Sequence, residues 1–212
     1  ATAQPLTWQT VVNNGDTMPG STATFNSYSQ PSVNAAGLIV FQGRASGSTV
    51  VHGIYGRDML AATPPFNITG MGTAVPPPNN TFYNGVLASF EAFPSVPRID
   101  TSSPAMAVRG QSLPVYTYLL GATETRVGTS GVYANPGGTL LTGASLLGAV
   151  LEGGTLTFPH YSVPGETAGT RFDQFPGAAT ITNGSVIAYK GNYTDPSDGI
   201  GRTGVFYRDV LA

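Results

Sequence analysis

Apolar and polar residues alternate along most of this chain in short runs of strand length, broken by Gly, Pro, Asn and Asp. Leu6–Val12 alternates, is rich in β-branched residues, and stops at Asn13-Asn14-Gly15-Asp16, so it predicts a strand ending in a turn. Leu38–Arg44 and Thr49–Arg57, joined by a Ser/Gly turn at residues 45–48, predict a hairpin with Ile39 and Phe41 on one face, and Met59–Ala62 reads as its continuation. Asn183-Gly184, between residues 178–182 and 185–190, predicts a second hairpin whose turn residues take positive φ, and Thr203–Val210 predicts the closing strand. Pro114–Thr125 reads as an inserted hairpin. Residues 140–157, punctuated by Gly143, Gly148, Gly153 and Gly154, read as short strands, with a short helix over residues 144–151 as the alternative.

One cassette occurs three times. Its copies are Phe25 to Tyr28, Leu38 to Gly43 and Gly53 to Tyr55; then Phe90 to Phe93, Met106 to Gly110 and Gly131 to Tyr133; then Phe172 to Phe175, Val186 to Gly191 and Gly204 to Phe206. The leading Phe and the closing Gly of the second block are separated by 18, 20 and 19 positions, and a Pro turn precedes each copy. The pattern predicts one all-β domain over residues 1–212, with propeller-like antiparallel sheets in three repeats of approximately 17–75, 76–163 and 164–212. The last copy stops where the first continues, and Leu6–Pro19 resembles the missing continuation. The N-terminal strand, residues 6–16, is therefore expected to complete the last repeat, because closure removes exposed sheet edges.

Composition narrows the function classes. Only 9% of the 212 residues are charged, against roughly 25% in an ordinary soluble domain, and the nine basic residues are scattered singly. A nucleic-acid partner, which calls for a basic stripe, is not expected. No apolar run reaches the length of a membrane-spanning helix. The chain lacks cysteine, which excludes disulfides, thiolate metal sites and a Cys nucleophile. Low charge, abundant Thr, Ser, Asn and Gly, and the small residues at Ala1–Gln4 point to a secreted or cell-surface protein.

The unit Pro31 to Gly43, with Asn34, Gly37, Ile39, Phe41 and Gly43 at its fixed positions, together with Gly53-Ile54-Tyr55 and the turn Gly15 to Gly20, resembles a repeat of secreted bacterial tandem-repeat proteins of propeller-like type. Such proteins are often carried with surface-anchor signals and mostly lack an assigned reaction. The resemblance implies an extracellular, surface-displayed β-repeat protein and is silent on activity.

Candidate chemistry is sparse. Arg57-Asp58 and Arg208-Asp209 occupy equivalent places after the Gly-x-aromatic block and are either a repeated binding site or strand-end pairs. Asn192, Asp195 and Asp198 lie in a Gly-ended loop with the oxygen chemistry for calcium, a hard cation, though turns use the same residues. Of the two histidines, His160, beside Tyr161 in a loop, is the better site candidate. Tyr83, Tyr116, Tyr118, Tyr161 and Tyr193 fall outside the repeat register and suit sugar stacking or subunit contact. Glu91, Asp100, Glu124, Glu152 and Asp173 are the carboxylates from which a glycosidase pair would be drawn. The expected function is non-enzymatic: self-assembly into a homo-oligomer or filament, or binding of a glycan or other partner. The alternative is an extracellular hydrolase or lyase acting on polysaccharide through carboxylates and tyrosines.

Overall fold

The computed structural model describes residues 8–47, 50–77, 79, 87–113, 116–120, 123–127, 130–146, 150–152, 155–157 and 162–212. The fold is all-β, with three antiparallel sheets and no closed barrel among the described residues, an arrangement in keeping with propeller-like sheets. The first sheet holds β1 (Ser27–Tyr28), β2 (Ser32–Val33), β3 (Leu38–Ala45), β4 (Val51–Asp58) and β5 (Phe66–Gly70). The second holds β6 (Ser89–Ala92), β7 (Arg98–Ile99), β8 (Met106–Leu113), β11 (Gly131–Ala134) and β12 (Leu141–Ser145). The predicted insertions form separate hairpins, β9 (Tyr116–Leu120) with β10 (Thr123–Val127), and β13 (Val150–Glu152) with β14 (Thr155–Thr157). The third sheet holds β15 (Arg171–Gln174), β16 (Thr180–Thr182), β17 (Val186–Thr194) and β18 (Gly201–Asp209).

Each sheet is built on a central strand, β3, β8 or β17. Two short strands lie along one edge of it and a single partner, β4, β11 or β18, along the other. In register, Gly43 faces Gly53, Gly110 faces Gly131 and Gly191 faces Gly204. These glycines make room for aromatic rings. A Cβ on Gly43, Gly110 or Gly191 would lie 2.3, 2.6 or 2.6 Å from the ring of Phe25, Phe90 or Phe172. Those rings meet Tyr55, Tyr133 and Phe206 edge-on, with centroids 5.0, 4.9 and 5.0 Å apart. Edge-to-face contact at this distance is the favoured aromatic geometry.

The core lies largely between sheets. Val40 and Ile54 of the first sheet are buried with Phe90, Phe93, Met106 and Tyr133 of the second. Val132 and Ala134 of the second are buried with Phe172, Phe175, Ile187 and Tyr189 of the third. Polar straps accompany each contact: Gln42 Nε2 donates to the Phe93 carbonyl at 2.6 Å, and Arg109 Nη1 donates to the Phe175 carbonyl. The corner at residues 100–103 ties all three sheets. Asp100 Oδ2 accepts from the Gly184 N–H of the third sheet at 2.7 Å and from Ser103 Oγ at 2.7 Å, while Ala35 N–H and Asn34 Nδ2 of the first sheet donate to the Thr101 and Ser103 carbonyls.

Burial pushes the Asp100 carboxyl up, but the hydrogen bonds from Ser103, Gly184 and Ser102 outweigh it and hold the pKa below its ordinary value. A depressed folded-state pKa stabilises fully above the unfolded value of about 4 and is lost as pH falls through the folded value. Asp100→Ala should therefore destabilise by about 1–3 kcal/mol at pH 7. Urea unfolding at pH 7 and pH 3 checks this, and the gap between wild type and variant should narrow at the lower pH.

Several expectations need adjusting. Residues 8–12 form no strand and do not complete the last sheet. They lie on the first sheet, where Arg57 Nη1 donates to the carbonyls of Thr10 and Val11 at 3.0 and 2.5 Å, and Val11 and Val12 pack on the Met18–Phe25–Phe41–Tyr55 cluster. Met59–Ala62 is a turn, because the Asp58 carboxylate accepts from the N–H groups of Leu60 and Ala61. The Asn183-Gly184 turn takes positive φ at both residues, +53° and +76°, as its sequence requires. Its register, Thr182 opposite Val186, adds Ser185 to the loop.

Candidate functional site

The Arg-Asp pairs hold backbone. Arg57 clamps residues 10–11 and also donates to the Thr63 carbonyl, and Arg208 Nη1 donates to the Gly143 carbonyl of the second sheet at 3.0 Å. Asp58 caps the turn after β4. Asp209 does the same after β18, bonding the Leu211 N–H and the Ser185 side chain, and the latter bond lowers its pKa. Asn135, at the matching place in the second sheet, accepts from the Met106 N–H at 2.6 Å. The two Arg-Asp pairs thus serve separate sheets.

In the 192–202 loop a guanidinium already sits between the carboxylates. Arg202 forks onto Asp198 at 2.6 and 3.1 Å and approaches Asp195 at 3.6 Å, and the bond to Arg202 brings the Asp198 carboxyl down to about 2. The Ser197 hydroxyl and N–H hold Asp195 below its usual value. Asn192 Oδ1 accepts from Thr203 Oγ1 at 3.0 Å. The three expected calcium ligands are therefore occupied by an internal cation and a hydroxyl, and no cluster of three His, Asp or Glu side chains suited to a metal occurs among the described residues. Tyr116 and Tyr118 fall on β9, but their side chains lie outside the described residues, as do Tyr83, His160 and Tyr161 altogether.

Sheet-to-sheet contact creates one cleft that sequence reasoning did not locate. It measures about 610 Å³, lies between the second and third sheets, and is lined by Arg109, Gln111, Asp173, Asn192, Tyr193 and Arg202, among others. Its polar groups are largely engaged with one another. Asp173 Oδ2 accepts from Thr194 Oγ1 at 2.7 Å, and the Tyr193 hydroxyl donates to Glu166 Oε1 at 2.7 Å, a bond that raises the Tyr193 pKa. Burial lowers the pKa of Arg109. Asp173 is the one carboxylate among the described lining residues. Among the described residues, the pair of carboxyl groups used in glycoside cleavage is not assembled there. Arg109 carried one sequence signal: it precedes the repeated Gly110, as Gln42 precedes Gly43.

The third sheet ends on a strand that exposes two large apolar side chains. Val205 and Tyr207 of β18 are 81% and 82% exposed. Their register counterparts are buried: Ile54 and Val132 are 0% and 1% exposed, and Ala134 is 0%. At the opposite end, Val33 is 61% exposed, whereas its counterparts Ile99 and Ile181 are each 8%. No family model matches the chain, and neither curated proteins nor solved structures give a significant match.

Proposed function

We propose that this is a non-enzymatic, secreted or cell-surface protein of three like β units, related to the bacterial tandem-repeat proteins it resembles, and that it acts by self-association. The observation that carries this reading is the exposure of Val205 and Tyr207 at places where the other two sheets bury their side chains. Apolar side chains left in solvent at positions that the sister sheets bury support an interaction surface here. The shared glycine and aromatic contacts support three units of common design, with boundaries near 17–75, 76–163 and 164–212. Low charge density and a composition rich in Thr, Ser, Asn and Gly support an extracellular setting. Light scattering across a concentration series tests the reading. The mass should rise above the 21.8 kDa of one chain as concentration increases. A mass fixed at one chain up to the solubility limit overturns it.

A glycan is the second reading, favoured by the amide, hydroxyl and guanidinium groups around the 610 Å³ cleft. Calorimetric titration with neutral oligosaccharides tests it, and Arg109→Ala should abolish any heat of binding. Calcium at the 192–202 loop would have to compete with Arg202, which already pairs with Asp198 and approaches Asp195.

A further inference from the structure

The first two sheets each carry a fifth strand, on the outer edge of β4 or β11, that the third lacks. On β4, Gly53, Ile54, Tyr55 and Gly56 face Gly70, Thr69, Asn67 and Phe66 of β5, so Ile68 is skipped. On β11, Gly131, Val132, Tyr133 and Ala134 face Ser145, Ala144, Thr142 and Leu141 of β12, so Gly143 is skipped. Among the described residues β18 pairs with β17 alone, and its other edge is open.

Residues 9–12 are the converse, a strand's length of chain without a sheet. After β5, Gly72 N–H donates to the Phe90 carbonyl at 2.8 Å and Val75 N–H to the Ala88 carbonyl at 3.0 Å. After residues 9–12, Gly15 N–H donates to the Phe25 carbonyl at 2.8 Å and Met18 N–H to the Ala23 carbonyl at 2.9 Å. Counted back from these matched bonds, Asn13, Val12, Val11, Thr10 and Gln9 hold the places of Gly70, Thr69, Ile68, Asn67 and Phe66. The arginines mark the same register independently. Arg208 donates to the carbonyl of Gly143, the residue skipped in β12, and Arg57 donates to that of Val11, the counterpart of skipped Ile68. Residues 8–12 nevertheless make no backbone–backbone hydrogen bond to any described strand.

We infer that a second copy of this chain docks head to tail, its residues 9–12 adding to the open edge of β18 as the missing fifth strand. Val205 then faces Val12, Phe206 faces Thr10 and Tyr207 faces Gln9 of the second copy, with Val11 skipped. Val205 enters the apolar groove of about 140 Å³ lined by Val11, Val12, Tyr28, Pro31 and Phe41. This is the move Ile54 makes onto Phe90 and Phe93, and Val132 onto Phe172 and Phe175. Lys190, exposed at the place held by Gln42 and Arg109, donates to the Tyr28 carbonyl of the second copy, as those two donate to the carbonyls of Phe93 and Phe175. The contact is heterologous, so it propagates into a ring or a filament. Main-chain pairing along an open edge supplies its affinity, and it removes that edge from solvent.

The inference rests on the self-association reading, and the test separates the two. Sedimentation velocity compares the intact chain with Val205→Asp, Val12→Pro and Leu60→Asp, the last an exposed apolar residue in the turn after β4. Val205→Asp and Val12→Pro should each weaken assembly at least tenfold, while Leu60→Asp leaves it unchanged within twofold. Each weakened variant keeps one working end, so an equimolar mixture of the two should form a dimer and stop there, which misfolded chains could not do. A wild type that assembles while both variants assemble equally well overturns this interface and leaves self-association through another surface. A wild type that is monomeric at every concentration overturns both.

Discussion

Phe90→Ala should destabilise the protein by about 3–5 kcal/mol, the usual cost of truncating a buried Phe. The ring is 1% exposed and lies 5.1 Å from Phe93 and 4.9 Å from Tyr133, centroid to centroid. It also fills the space over Gly110. Its removal opens a cavity in the cluster that joins the first and second sheets, where Val40 and Ile54 also pack. In a chain of this size the loss lowers the melting temperature by roughly 10 °C. Phe172→Ala should behave alike, because Phe172 stands in the same relation to Gly191, Phe175 and Phe206. Thermal and urea unfolding measure both. A loss below about 1 kcal/mol in either variant would mean that the aromatic cluster does not hold the sheets together.

Gly110→Ala should cost toward the upper end of the range of about 1–3 kcal/mol seen on overpacking a core. The added Cβ would lie 2.6 Å from Phe90 Cε1 and 3.1 Å from Tyr133 Cε2, and neither buried ring can swing into solvent. Two other glycines provide contrasts. The atoms nearest a Cβ on Gly56 belong to Phe66, an exposed ring free to move, and one on Gly201 meets nothing within 4 Å. Phe90→Leu in the Gly110→Ala background should be less damaging than the sum of the two single changes, with a coupling of about 0.5–3 kcal/mol. Additive losses, or a Gly110→Ala as mild as Gly201→Ala, would show that the ring and the glycine do not constrain one another.

The residues that made this architecture legible are those with little freedom to vary. Gly43, Gly110 and Gly191 recur because each lies under a ring, and Phe25, Phe90 and Phe172 recur because each supplies one. Asn183-Gly184 was readable because positive φ at both turn positions suits few other residues. Strand β5 was missed, and β12 was read only as part of an undivided run of short strands over residues 140–157. Phe66 and Asn67 of β5 are exposed, and Thr and Gly interrupt the apolar pattern of both strands. Residues 6–12 had a strand's pattern, but pattern does not say which edge a strand joins, and residues 8–12 lie against the first sheet.

The straps between sheets were hidden for a related reason. Gln42, Arg109 and Lys190 share one place but not one chemistry, because any long donor can reach a carbonyl. The loop at 192–202 offered calcium-like oxygens, and the feature that answers them, Arg202, lies four residues beyond Asp198, a spacing that reads as an ordinary ion pair. The cleft between the second and third sheets depends on how two sheets approach, which no local run of residues encodes. One cue to the open face was in plain view. The single lysine and Tyr207 both fall in the third copy, Lys190 where the other copies have Gln42 and Arg109, and Tyr207 where they have Gly56 and Ala134.

Covalent trapping tests the head-to-tail account most directly, since the chain has no cysteine of its own. Chains carrying Val205→Cys or Val12→Cys are oxidised under the same conditions, each alone and as a one-to-one mixture. Directly opposed strand residues lie about 4.5–5.5 Å apart at Cα, within the span a disulfide bridges. The account predicts a linked species of twice the 21.8 kDa chain mass in the mixture and little in either chain alone. Linkage as strong in one chain alone as in the mixture, or none in the mixture, would contradict it.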